Sequence, residues 1–167
     1  MNLDEIYLDM ALREARKAAE QGEVPVGAVV VHQGHVIGRG HNRTEGLQDP
    51  TAHAEILAIT AAADHLGSWR LEDCTLYVTL EPCTMCGGAI VLARVPRLVF
   101  GAWDPKAGAC GSVLDVVRRP ELNHRVDLLG GLRETECGDL LRGFFRERRA
   151  ESRLRRVDLD GNPPEEA

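Results

Sequence analysis

The chain has 167 residues, 44% of them apolar and 28% charged, with a formal net charge of −6 at pH 7. That length suits one domain whose core needs no disulfide or metal staple. No apolar run approaches the roughly 18 residues of a membrane span, and the acidic start MNLDEIYLDM predicts no secretory or transit leader, so a cytoplasmic protein is expected.

In chain order, Leu3, Ile6, Met10, Ala11, Ala15 and Ala18 recur at helical spacing over 3–20. Asn2 and Glu5 match a capping box before that run, and Gly22 follows it as a stop. Two strands follow over 26–32 and 35–40, joined at Gln33-Gly34, a hairpin signal. Helical spacing returns over 52–66, TLYVTL (75–80) is a β-branched strand, and 83–94 reads as a helix ended by Pro96. RLVFGA (97–102) is a further strand, 104–111 a Gly-rich loop, SVLDVVRR (112–119) a short helix, and HRVDLLGG holds a fifth strand before a last helix over 134–156.

Strands joined through helices run parallel with right-handed crossovers. The expected fold is therefore α/β: a five-stranded mixed sheet, with the hairpin at one edge and helices on both faces. The domain is expected to cover 1–156. Residues 142–156 carry seven Arg and two Glu, a basic block in an acidic chain. Residues 157–167 carry four acids and no base, which predicts a disordered acidic tail.

Of the five cysteines, Cys83 and Cys86 alone have metal-ligand spacing; Cys74, Cys110 and Cys137 read as small buried hydrophobes. The C-x-x-C stands where a strand gives way to a helix. A redox pair also sits at a helix start, but that leaves His53 and Glu55 unused. A structural zinc site needs four protein ligands, and no second pair is present. In the third reading His53, Cys83 and Cys86 hold a catalytic Zn²⁺ whose fourth position stays open. Residues two apart do not share a helix face, but His53 and Glu55 can both reach a target beyond the end of their helix. Glu55 is then a proton shuttle rather than a ligand.

His-Ala-Glu at 53–55 with Pro-Cys-Thr-Met-Cys at 82–86 resembles the zinc nucleobase deaminases. Glu23 to Ala28 (EVPVGA), Asn42-Arg43, Asp49 to Glu55, Thr79 to Cys83, Phe100 to Ala102, Asp104-Pro105-Lys106, Gly108 to Ser112 and Asn123 to Val126 extend the likeness over about 3–150. Within the cytidine and deoxycytidylate deaminase superfamily these stretches resemble the bacterial tRNA-specific adenosine deaminases. Trp103 and the tail after 156 depart from that pattern.

The resemblance implies a three-layer cytidine-deaminase-like fold, one Zn²⁺ per subunit and a homodimer. It implies hydrolysis of adenosine to inosine at the wobble position in the anticodon loop of an arginine tRNA, with Glu55 moving the protons; the alternative readings are a deaminase of a free base or nucleotide such as cytosine or guanine, and a non-catalytic zinc-containing RNA-binding protein. Glu81 and Pro82 would close the approach to the metal, Asn42 would bond the target base, and Val26 to Ala28 with Ala54 would line its pocket. Asp104, Lys106, Asn123 and His124 would meet the splayed loop. Single-stranded RNA favours aromatic platforms and arginines, and Phe145 and Arg149 on the last helix supply both. A cap or a backbone bond is the plainer reading of Asn42, a turn ion pair that of Asp104 and Lys106, and loop positions that of Asn123 and His124.

Overall fold

A computed structural model describes residues 1–160, with side chains to Val157. Helix α1 (Leu3–Glu20) starts at the expected capping box: Asn2 Oδ1 accepts from Glu5 N, and Asn2 N donates to Glu5 Oε2, both at 3.0 Å. Strands β1 (Gly27–His32) and β2 (His35–His41) form the hairpin. Gln33 and Gly34 turn it with φ of 49° and 78°, the pair of positive values that matches strand twist. A single turn, α2 (Thr44–Leu47), precedes α3 (Ala54–Leu66). Then come β3 (Cys74–Leu80), α4 (Thr84–Leu92), β4 (Arg97–Ala102), β5 (Asp127–Leu129) and α5 (Glu134–Asp160).

The strand order is β2-β1-β3-β4-β5, antiparallel across β2-β1-β3 and parallel across β3-β4-β5. Period-two alternation sorts the strand side chains into two cores. Val29, Val31, Tyr77 and Val99 face α1 and the start of α5, where they meet Leu8, Leu12 and Cys137. Ala28, Val30, Leu76, Val78, Leu98 and Phe100 face α3 and α4, packing on Ala54, Ala58, Ala62 and Ile90. The expected mixed sheet with helices on both faces is present. Asp4, in the first turn of α1, ties that helix to the sheet through two 2.8 Å bonds from Arg97 and one of 2.7 Å from Tyr77.

Two expectations fail here. Residues 112–119 form no helix: Val113 N and Leu114 N donate to Gly108 O, Val116 N to Ala109 O, and Val126 N to Val117 O. Those donors close a compact loop instead of a helical ladder, and the chain still crosses to a parallel β5. The last helix runs on to Asp160 rather than stopping at 156. Residues 161–167 of the expected disordered tail lie outside the described residues. No helix among the described residues is long and apolar enough to cross a membrane.

Candidate active site

β1 begins and β2, β3 and β4 end at one edge of the sheet, and α3 and α4 both start there. Each helix begins one residue later than the site motif: His53 is the N-cap of α3 and Cys83 the N-cap of α4. An N-cap side chain ordinarily accepts from its own helix. Neither does so here, and both turn toward each other instead.

His53 Nδ1 lies 3.6 Å from Cys83 Sγ and 3.5 Å from Cys86 Sγ. All three ligand atoms fall within 4.8 Å of one another. With Zn–S of about 2.3 Å and Zn–N of about 2.0–2.1 Å, a tetrahedral ion sets its nitrogen and sulfur donors about 3.5–3.6 Å apart. One imidazole and two thiols at that separation can hold a metal, and the borderline-soft donor set suits zinc. Cys83 is pushed down to about 3, first by a hydrogen bond from Cys86 and then by His53. That shift favours the thiolate, the form that binds metal, and the N-terminal dipole of α4 favours the same charge. The other three cysteines are buried as expected, and burial raises Cys74 and Cys137 to about 11.

Glu55, in the first turn of α3, is 4% exposed, with Oε2 3.1 Å from Cys86 Sγ. Burial pushes its carboxyl above the usual carboxylate range, which suits a group that must hold a proton in one step and release it in the next. Asn42 does what the plainer reading expected and leaves a donor over. Its Oδ1 accepts from Ala54 N at 2.9 Å, capping α3 in place of His53. Only the oxygen can accept from an N–H, so its NH₂ is left at the cavity surface.

Glu81 performs a task that the sequence does not announce. It is 1% exposed, and its carboxylate accepts from Asp104 N, Cys110 N and Ser112 N, each at 3.0 Å, and from the Ser112 hydroxyl. It thereby gathers loop 104–112. Gly108 makes room for it: a Cβ there would stand 2.3 Å from the carboxylate carbon. The loop also joins the floor of the site through Ala109 N to Pro82 O at 2.8 Å.

A cavity of about 980 Å³ opens over this floor. It brings together Val26, Asn42, His53, Glu55, Cys83, Asp104, Lys106, Phe145 and Arg149 from the expected set. Trp103, noted from sequence only as a departure from the family pattern, lines it as well, as do Glu134, Arg142 and Arg146, which the sequence did not single out. Asp104 and Lys106 form no ion pair; Asp104 Oδ1 accepts from Lys106 N and Ala107 N at 3.0 and 3.2 Å. Among the described residues the charged ends of Lys106, Arg146 and Arg149 make no salt bridge, whereas Arg142 pairs with Asp139 at 2.5 Å. The outer lining thus sets Lys106, Arg146 and Arg149 beside the carboxylates of Asp104 and Glu134, a rim of small net positive charge on an acidic chain.

Several expected residues stand apart from the cavity lining, among them the fully buried ligand Cys86. Ala28 and Ala54 are fully buried in the core beneath it. Asn123 is exposed, and the His124 ring donates to Val95 O at 2.8 Å, at the opposite end of β4 from the cavity. Any substrate contact that Asn123 and His124 make lies outside it.

A family model of MafB19-like deaminases matches residues 2–149. A tRNA-specific adenosine deaminase of Bacillus subtilis is 50% identical over 159 residues, 95% of this chain and 99% of that protein. The chain belongs to the tRNA-specific adenosine deaminases. A second such enzyme, from Agrobacterium fabrum, is 52% identical over 143 residues, 86% of this chain and 94% of its own. A solved structure from studies of A-to-I editing by tRNA:A34 deaminases at the wobble position of transfer RNA matches with a TM-score of 0.79 at 50% identity. It covers 81% of this chain and 99% of that one. The three layers described above are thus the cytidine-deaminase-like fold of this deaminase family. The family model ends at 149, so the last turns of α5, with Arg153, Arg155 and Arg156, lie beyond it.

Proposed function

We propose that this chain hydrolyses adenosine to inosine and ammonia at the wobble position of a tRNA anticodon. The observation that carries this is the placement of His53, Cys83, Cys86 and buried Glu55 at the floor of a cavity rimmed by Phe145, Lys106 and Arg149. The overall change forms a C6–O bond and breaks the bond from C6 to the exocyclic nitrogen, with one water consumed.

His53, Cys83 and Cys86 are the residues that would hold one zinc ion in each subunit. A zinc ion supplies Lewis acidity there, which makes water nucleophilic near neutral pH. Glu55 takes the proton released by that water on its carboxylate. It passes that proton to the ring nitrogen next to C6, then takes the second proton from the hydroxyl now on C6 and delivers it to the departing amine, which leaves as ammonia while the C6 carbonyl forms. Asn42, its oxygen already committed to Ala54, offers the base its NH₂ and thereby orients it. Burial of Glu55 keeps bulk water from short-circuiting the transfer.

A base stacked in RNA cannot reach this floor, so the target nucleotide must be extruded into the cavity. Phe145 supplies an exposed ring, and Lys106 and Arg149 supply cations that meet the loop phosphates. A homodimer acting in the cytoplasm on an arginine tRNA completes the reading, supported by the family to which the chain belongs. The test is to incubate the protein with an anticodon stem-loop that carries adenosine at the wobble position. Inosine is expected at that position and at no other adenosine; unchanged RNA would overturn the proposal.

A further inference from the structure

Trp103 lines the cavity and has no part in the chemistry above. It follows the end of β4 and is 39% exposed. The covered part of its indole is clamped. The ring stands edge-on to the fully buried Phe100, with centroids 4.7 Å apart and planes at 89°. Three glycines border the rest. A Cβ at Gly130 would come within 2.7 Å of the indole, and one at Gly111 or Gly131 within 3.2 Å. Side chains there would push the ring out, so the slot both admits the indole and fixes its plane.

Leaving part of so large an apolar ring open gives up burial that would otherwise stabilise the fold. In the proposed reading the target base takes the end of the cavity near Asn42, His53 and Glu55. The remaining room, toward Trp103, Lys106, Phe145 and Arg149, is left for the nucleotides next to it. A flat, half-open and immobilised ring is the group on which an unpaired base stacks at small entropic cost.

We propose that Trp103 is a preformed stacking platform for the base of a nucleotide flanking the target in the single-stranded loop of the RNA substrate. This rests on the RNA reading above. Trp103 is then a specificity-determining residue that binds substrate without touching the reacting atoms.

The chain has two tryptophans, which provides a direct test. Trp69 is 60% exposed and stacks with Arg70 beyond the end of α3, away from the cavity. In the full chain carrying Trp69→Phe, Trp103 becomes the only tryptophan reporter. Titration with an anticodon stem-loop should quench its emission saturably, and an abasic nucleotide at one of the two positions flanking the wobble adenosine should remove the quench. In parallel, Trp103→Leu should raise KM about tenfold with kcat changed less than twofold, and Trp103→Phe should restore most of the loss. Inosine formation by Trp69→Phe on the intact stem-loop separates the two ideas. Inosine without quenching, or quenching unaffected by either abasic position, would overturn the platform alone. Absence of inosine would overturn the RNA reading and the platform with it.

Discussion

The floor of the cavity and its wall are made in different ways. His53, Glu55, Cys83 and Cys86 come from two stretches of a few residues, each at a helix start. Trp103, Asp104 and Lys106 stand on a loop held by a carboxylate 23 to 31 residues earlier in the chain. Phe145 and Arg149 come from a helix later still. The floor needs two helix ends to meet; the wall needs a buried charge, Glu81, to collect three backbone amides. In the proposed reading, chemistry sits on rigid helix starts and substrate choice on a loop whose shape depends on one side chain. Glu81 adjoins Pro82 and Cys83 in sequence, so the two parts are joined at that point.

Separating them experimentally starts with the largest effect. Glu55→Ala should lower inosine formation by about 10³- to 10⁴-fold, while metal analysis finds zinc retained and stem-loop affinity is unchanged. Loss of zinc in that variant would mean that Glu55 belongs to the ligand set. Glu81→Gln comes next. Its amide would turn an NH₂ toward backbone N–H groups, and kcat/KM should fall by about 10- to 100-fold, the size of one or two lost charge-assisted hydrogen bonds. Zinc content should stay at the wild-type level, and a parallel loss of zinc would show that wall and floor fail as one unit.

Lys106→Ala and Arg149→Ala should act more gently, each raising KM several-fold and reducing the slope of log affinity against log salt by about 1. Stem-loop affinity that is flat from low to physiological salt would contradict the positive rim. The smallest effect belongs far from both regions. Arg97, aided by Tyr77, holds Asp4 below the usual carboxylate range. Such a group stabilises the fold above its unfolded pKa of about 3.8, and that contribution disappears as pH falls through the lower folded value. Asp4→Asn should therefore cost about 1 kcal/mol at pH 7, with the gap in Tm closing below about pH 4 and activity per folded molecule unchanged.

Much of this architecture was legible because its causes are local. The Asn2–Glu5 box, the Gln33-Gly34 turn and the alternating strands each carry their reason within a few residues. The histidine and cysteine motifs did so for the floor, where His53, Cys83 and Cys86 come within 4.8 Å of one another. The wall was harder to read. SVLDVVRR has the composition of a helix, but its neighbours Cys110 and Ser112 give their N–H groups to Glu81, and Val113 and Leu114 donate back to Gly108. A carboxylate 31 residues upstream leaves no mark in that window. Asn42 shows the opposite case, in which two rival readings are compatible: its oxygen caps α3, and its NH₂ remains for the base. His124 is spent on the Val95 carbonyl, a partner that no spacing rule would supply.

The central claim is that the floor deaminates an adenosine which the wall accepts only as part of RNA. A competition in one vessel tests it: an anticodon stem-loop with wobble adenosine, together with free adenosine, guanine and cytosine, followed by mass analysis of every product. Inosine in the stem-loop with the free compounds unchanged is the result this account predicts. Deamination of a free base or nucleoside, with the stem-loop left intact, would contradict it.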